Sequence, residues 1–312
     1  MNLQSWRRIP IPKTIIFLAE YFILRWFIFL LTALPYDITT SLVRNFVRFG
    51  YSLAGKYRNI TVENIRLAKP QVVKTPEEAN RLALRTFEYF ALSFVHMLYM
   101  DRFIYLKEKK HISFENTEVI DRALKENRGL ILISGHLGNW EIGINELAKK
   151  GYPINLVAFQ YVNPYLNNMM NRFRLDCGVT IIPTKGAISK CEETLKKEEV
   201  VIMLIDQTGR EEGVEVQFFG RTAPAMWGPA NLHIKTGAPI IPYGVTFTAE
   251  SPSSQRIRYT IKIGDKIIYQ PTGSKDNDIK ELTQIYLNEI EKIIRRAPEQ
   301  WIWFHRRWKK YK

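Results

Sequence analysis

The chain is poor in cysteine and poor in acid. Its 312 residues hold two cysteines, Cys177 and Cys191, too few for a disulfide scaffold and without the CxxC or Cys/His spacing of a zinc site. They read as ordinary thiols of a reducing compartment. Asp and Glu number 31 against 45 Lys and Arg, a formal net charge of +14. Such an excess calls for an acidic partner: nucleic acid, an anionic membrane, or an acidic protein or substrate. Also missing are a GxSxG elbow, a Gly-rich phosphate loop and an HExxH zinc helix. No helix-turn-helix or RNP-like signature supports nucleic acid. With 46 % apolar and 24 % charged residues, the composition excludes a disordered chain, a collagen and a polytopic membrane protein.

One long apolar stretch runs from Thr14 to Pro35. About 20 apolar residues suffice to cross a bilayer. Glu20 and Arg25 interrupt it, however, and each is costly at the bilayer centre. The uncharged run from Trp26 to Leu34 is nine residues, too short to span. The stretch is either a poor transmembrane helix or a helix in the interface, with Tyr21, Trp26 and Phe27 at headgroup depth. A buried core helix is the plain alternative. Ala33-Leu34-Pro35 is a poor cleavage site, which argues against a signal peptide. Arg7, Arg8 and Lys13 before it, and Arg44, Arg48, Lys56 and Arg58 after it, favour a membrane anchor over residues 1–36.

Residues 61–126 read as helical. Thr75 is a candidate N-cap, Pro76 lies in the first turn, and early acids precede apolar residues at three-four spacing. His96, among apolar neighbours, reads as a core or interface histidine. After Asn127, short apolar runs alternate with amphipathic pieces. The runs are Leu130–Ser134, Ile154–Phe159, Val179–Ile182, Val200–Ile205, Ile240–Val245 and Arg258–Ile268; the pieces are Asn139–Lys150, Pro164–Arg174, Ala187–Lys197 and Asp278–Arg296. That alternation predicts an α/β sandwich with a largely parallel sheet. The tail interleaves Trp301, Trp303, Phe304, Trp308 and Tyr311 with Arg306, Arg307, Lys309, Lys310 and Lys312, a pattern suited to a headgroup interface. Residues 37–126 are expected to pack on a core formed by 127–312, with 37–312 folding as one unit.

The chemistry centres on LILISGHLGNWEIGINELAKKG. A buried strand delivers Ser134-Gly135-His136 to its carboxyl end, where ligands gather in open α/β sheets. Asn139 is placed to cap the next helix, with Glu141 in its first turn. On a continuous helix His136 and Glu141 would point about 140° apart; a strand–turn–helix can return the carboxylate to the imidazole. That pairing suits a general base, the carboxylate fixing the tautomer and stabilising the imidazolium. Gly135 and Gly138 permit close backbone approach to a substrate. A structural histidine at a strand end competes with this reading.

The string HLGNWE resembles the H-x-G-N-W-E form of the late acyltransferases of bacterial lipid A biosynthesis, within the HxxxxE lysophospholipid acyltransferase superfamily. The resemblance extends to ENIRLA at Glu63–Ala68, NRFRLDCG at Asn171–Gly178, Leu204–Gly244, and PEQWIWFHRRWK at Pro298–Lys309. It implies a glycerol-phosphate-acyltransferase-like αβα sandwich with a mixed, largely parallel sheet and an N-terminal membrane helix. By the same resemblance His136 looks like the base that deprotonates the acceptor hydroxyl, and Glu141 its orienting partner. Arg174, four positions before Gly178, looks like the arginine that holds an anion or oxyanion, Arg172 being the weaker stand-in. Asp206-Gln207 matches a DQ pair that would position Arg174 or a sugar hydroxyl, or simply end a strand. Gly135 and Asn139 fall on the substrate and oxyanion side. Phe218-Phe219-Gly220 and Gly228-Pro229-Ala230 resemble an acyl or acceptor wall, or plain core. His233, Lys235 and Asn163-Pro164 depart from the family pattern.

The reaction implied is acyl transfer from acyl-acyl carrier protein to a phosphorylated lipid A precursor, on the cytoplasmic face of a bacterial inner membrane. No metal or bound organic cofactor is required, the donor itself carrying phosphopantetheine. The partners implied are an acidic carrier protein, a phosphorylated glycolipid and an anionic membrane surface, not nucleic acid. Two other readings compete: an acyltransferase for another glycolipid or phospholipid, such as phosphatidylinositol mannosides, with acyl-CoA as donor; and a non-catalytic basic protein of the membrane surface.

Overall fold

Four helices lead into the structure, a computed structural model that describes residues 11–68, 72–103, 111–208, 213–249 and 257–308. They are α1 (Ile11–Ala33), α2 (Tyr36–Leu53), α3 (Gly55–Leu67) and α4 (Pro76–Phe103). Pro35 ends α1 by pushing the preceding residue out of helical geometry. Thr75 and Glu78 open α4 as a capping box: the Glu78 N–H donates to Thr75 Oγ1 at 3.2 Å, and the Thr75 N–H to Glu78 Oε2 at 3.3 Å.

Strands and helices then alternate: β1 (Ile112–Glu115), α5 (Glu118–Leu124), β2 (Leu130–Ser134), α6 (Trp140–Lys149), β3 (Ile154–Ala158), α7 (Pro164–Leu175), β4 (Thr180–Pro183), α8 (Ala187–Lys196) and β5 (Val200–Leu204). After these come a hairpin of β6 (Val214–Phe218) and β7 (Arg221–Ala225), then α9 (Gly228–Thr236), β8 (Ile240–Ala249), β9 (Ile257–Ile263) and α10 (Lys275–Arg296). The main sheet has seven strands in the order β1-β9-β8-β2-β5-β3-β4. Only β8 and β9 pair antiparallel; the other neighbours are parallel.

β2 and β5 are continuous apolar runs because parallel strands are covered on both faces. Ile131 and Ile133 pack with Leu282 and Leu287 of α10. Leu130 and Leu132 pack with Ile142, Ile144 and Leu147 of α6 on the other side. All six expected strands are present, β2 with the expected bounds and the other five with shifted ends. β1, an edge strand paired with β9, lies inside the stretch read as helical. Its four residues are too few to show a period against the helices around them.

The tail differs most from expectation. Trp301 and Trp303 are 2 % and 0 % exposed, and Arg307 is 0 % exposed. Both indole N–H groups have acceptors, Asp206 and the Pro298 carbonyl, each at 2.7 Å, so burial leaves no orphan donor. Trp301 forms a β-bridge with Leu137, and the Gly138 N–H donates to the Gln300 carbonyl at 2.9 Å. Arg307 lies over the Phe218 ring, 4.7 Å from its centroid, and donates to the Pro224 carbonyl at 2.7 Å. Residues 298–308 therefore plug the sheet rather than face a headgroup layer. Arg7, Arg8, Lys309, Lys310, Tyr311 and Lys312 lie outside the described residues.

Candidate active site

The register of two neighbouring strands builds the site. Ser134 pairs with Leu204 across β2 and β5, so two more residues along each chain bring His136 beside Asp206. The Asp206 carboxylate takes three donors. Oδ1 lies 2.8 Å from His136 Nδ1; Oδ2 accepts the His136 backbone N–H at 2.8 Å and Trp301 Nε1–H at 2.7 Å. Gly135 lets the strands come this close, since a Cβ there would sit 3.2 Å from the Asp206 carboxyl. Gly138, at φ +59, turns the chain into α6; a Cβ there would lie 2.1 Å from the Val245 carbonyl oxygen.

Burial by itself would raise the Asp206 carboxyl. The facing His136 imidazole and the hydrogen bonds from His136 and Trp301 outweigh it and hold the group below its ordinary value. An ionised carboxylate only accepts, so chemistry assigns a proton to Nδ1. The imidazole is 20 % exposed and rests edge-on against Trp140, with ring centroids 4.9 Å apart.

Glu141 pairs with Arg174 rather than with His136. α6 carries it toward α7, where Arg174 Nε donates to Oε2 at 2.9 Å and Nη2 to Oε1 at 2.5 Å. Both side chains are 8 % exposed. Burial acts to lower the Arg174 guanidinium, but the Glu141 carboxylate outweighs it and raises the group. Two donors of Arg174 are thus committed to Glu141, and its Nη1 is buried without a partner among the described residues. Arg172 points outward, its side chain 83 % exposed and 3.7 Å from Asp176. The two carboxylates have exchanged the partners expected of them, because the β2–β5 register fixes one pair and the approach of α7 to α6 fixes the other.

Asn139 caps α6, accepting the Ile142 N–H at 3.2 Å, while its Nδ2 donates to the Ser93 carbonyl at 2.8 Å. At 2 % exposure it is buried, and both side-chain polar atoms are hydrogen-bonded within the protein. Gln207 is half-buried beyond Asp206, and its side chain makes none of the hydrogen bonds that assemble the site. Phe218 and Phe219 are core, packed on Trp301 at centroid distances of 5.8 and 6.3 Å. His233 Nδ1 contacts the Ala238 carbonyl at 2.8 Å, away from the cluster. His96 is buried between Tyr36 and Tyr259, where burial pushes it down to about 3.

Sequence reasoning missed Trp301 as a site residue. Its one signal was that a tryptophan needs a partner for its N–H when buried, and nothing in an aromatic, basic tail announces burial.

A histidine braced by a buried carboxylate at the carboxyl end of a parallel sheet, behind an apolar N-terminal helix, defines the class. The family model of the bacterial lipid A biosynthesis acyltransferases matches residues 10–310, and the chain belongs to that family. It is 24 % identical over 300 residues to the lipid A biosynthesis palmitoleoyltransferase of Escherichia coli, covering 94 % of this chain and 93 % of that protein. It is 23 % identical over 289 residues to the lipid A biosynthesis lauroyltransferase of the same organism, covering 90 % and 89 %. A phosphatidylinositol mannoside acyltransferase of Mycobacterium tuberculosis is 24 % identical over 193 residues, covering 61 % of this chain. The match spans 57 % of the length of that mannoside relative.

Proposed function

We propose that this protein moves a fatty acyl chain from an acyl thioester to a hydroxyl of a lipid A precursor, with acyl-acyl carrier protein as donor. The observation that carries the proposal is the Nδ1 contact of His136 with buried Asp206, which leaves Nε2 to act as the base. His136 takes the proton of the acceptor hydroxyl as its oxygen attacks the thioester carbonyl. Asp206 stabilises the imidazolium so formed. The tetrahedral oxyanion then collapses, the carbon–sulfur bond breaks, and the thiolate takes the proton back from His136. A positioned general base contributes about 10²–10⁴-fold.

No protein nucleophile competes at this point. Ser134 Oγ donates to the Tyr243 carbonyl at 2.8 Å, and Cys191 is buried in the core. Glu141 and Arg174 brace the wall between α6 and α7. The +14 charge supports an acidic carrier protein and a phosphorylated acceptor. Helices on both faces of the sheet support the glycerol-phosphate-acyltransferase-like layering, and the apolar α1 supports work at the cytoplasmic face of the inner membrane.

The mannoside relative favours one second reading, transfer to a phosphatidylinositol mannoside, for which we propose acyl-CoA as donor. An assay with tetra-acylated lipid A precursor and either acyl-acyl carrier protein or acyl-CoA, read by mass spectrometry, separates the two. A penta-acyl product with the carrier protein is expected. Turnover only with acyl-CoA and a mannoside acceptor would replace the first reading.

A further inference from the structure

α1 has the length and hydropathy of a membrane span over Lys13–Ala33, but it does not stand away from the domain. Half-buried positions recur along it at Phe17, Tyr21, Leu24, Ile28 and Leu31, one stripe at helical spacing. The stripe is fastened near both ends. At one end Asn163 Nδ2 donates to the Phe17 carbonyl at 2.9 Å and to Glu20 Oε2 at 2.8 Å, and Tyr21 meets Tyr165 at 6.0 Å between ring centroids. At the other, Tyr99 Oη lies 2.6 and 2.8 Å from the Leu31 and Leu34 carbonyls. Phe17 and Leu31 are about 21 Å apart along the helix axis, and the domain lies alongside α1 at both.

A transmembrane pose would therefore carry the start of α7 and the irregular residues 159–163 into hydrocarbon with α1. Irregular backbone facing lipid is not tolerated there. The charges agree. Glu20, an expensive residue at mid-bilayer, is turned toward Asn163, and Arg25 is exposed on a stem long enough to reach headgroups.

α2 repeats the pattern. Ile38, Leu42, Phe46, Phe49 and Leu53 are 49–72 % exposed and fall within a sector of about 80°. On the other side, Arg48 Nε donates to Glu88 of α4 at 2.7 Å and Arg44 lies 3.9 Å from the same carboxylate. The helix thus ties its arginines to the protein and presents its large apolar side chains outward, the reverse of a helix facing water. It begins at Tyr36, directly after α1. Phe159 and Val162, 66 % and 81 % exposed, extend the same surface at the carboxyl end of β3, the end of the sheet that holds His136.

We infer that α1 does not cross the bilayer: α1, α2 and the β3–α7 loop together seat the domain on one leaflet, with α1 lying in the interface and the His136 mouth opening toward the headgroups. This deepens the membrane association in the proposed function and rests on it. Lipid depth and acyl transfer are read separately, so that either can fail alone.

The test uses the full chain with Cys177 and Cys191 replaced by Ser, spin-labelled singly at Ile16→Cys, Ile23→Cys, Leu30→Cys, Phe46→Cys and Leu53→Cys, with exposed Lys196→Cys as the water control. The protein is placed in vesicles of mixed zwitterionic and anionic phospholipid, and depth is read from collisions with oxygen and a water-soluble nickel complex. The three α1 positions are expected at one common depth of about 5–10 Å, with the α2 positions also in lipid. A depth maximum at Ile23 flanked by shallow Ile16 and Leu30 would mean a span and overturn the inference. Water-exposed labels on α2 would overturn it as well. So would labels shielded from both probes with spin–spin broadening, the mark of a second copy on this face.

Discussion

Glu141 and Asp206 are both buried carboxylates near His136, 6 % and 1 % exposed, yet they are balanced in opposite ways. Glu141 meets a full positive charge, gripped at two points by Arg174. Asp206 meets the backbone N–H and the imidazole of His136 and the indole N–H of Trp301. The first pair is complete before substrate arrives and changes little during a reaction. In the mechanism proposed above, the second is completed when His136 takes a proton, so its electrostatic gain falls at the transition state. In that mechanism the HxxxxE spacing joins the base to an ion pair, and the carboxylate that contacts His136 comes from the end of another strand.

The largest effect that would break this contrast is expected at Asp206. Asp206→Asn should lower kcat by about 10²–10⁴-fold with circular dichroism and thermal unfolding near wild type, as should His136→Ala. Equal loss in a well-folded Glu141→Gln variant would return the partner role to Glu141.

Next comes stability. Glu141→Gln leaves the Arg174 charge buried and unpaired, which costs about 3–5 kcal/mol. Urea unfolding in detergent should show that drop, and adding Arg174→Met should restore most of it. An additive double mutant would deny the clamp.

The smallest effect is expected at Trp301. Trp301→Phe removes one donor from a carboxylate, and because only part of that bond differs between ground and transition states, kcat should fall about 3- to 10-fold. The sign of the pH effect follows from Asp206. Its carboxyl is held below the ordinary value, so its contribution is present at neutral pH and lost as pH falls through that lowered value. Without the indole N–H the value rises, and the acid limb of the kcat profile should move to higher pH. An unmoved limb would mean that Trp301 only packs.

Much of this architecture is legible in the sequence, and the illegible parts share a cause. The apolar runs of β2, β3 and β5, the Thr75–Glu78 box and the Asn139 cap are local signals, and each yields its element. His136, Glu141, Arg174 and Asp206 stand out in the sequence, and the structure joins them in two pairs. Who pairs with whom is not legible there, because His136 and Asp206 are 70 residues apart and meet only through strand register. The β6–β7 hairpin did leave a local trace. Val214–Phe218 alternates, and Phe219-Gly220, both at positive φ, form the two-residue turn between Phe218 and Arg221. The aromatic tail misleads in the opposite sense, since Trp and Arg suit a headgroup layer or a buried plug equally well until Asn64 and Asp206 claim it.

That plug imposes an order of events on synthesis. Asn64 waits 239 residues for the Trp303 carbonyl, and Asp206 waits 95 for the Trp301 indole. Domains fold from the amino end as they are made, and contacts this distant in sequence form late. α1 and α2 are therefore made long before the His136 loop receives its cover. The cluster of His136, Asp206 and Trp301 is complete only after residues 298–308 have been made and folded back.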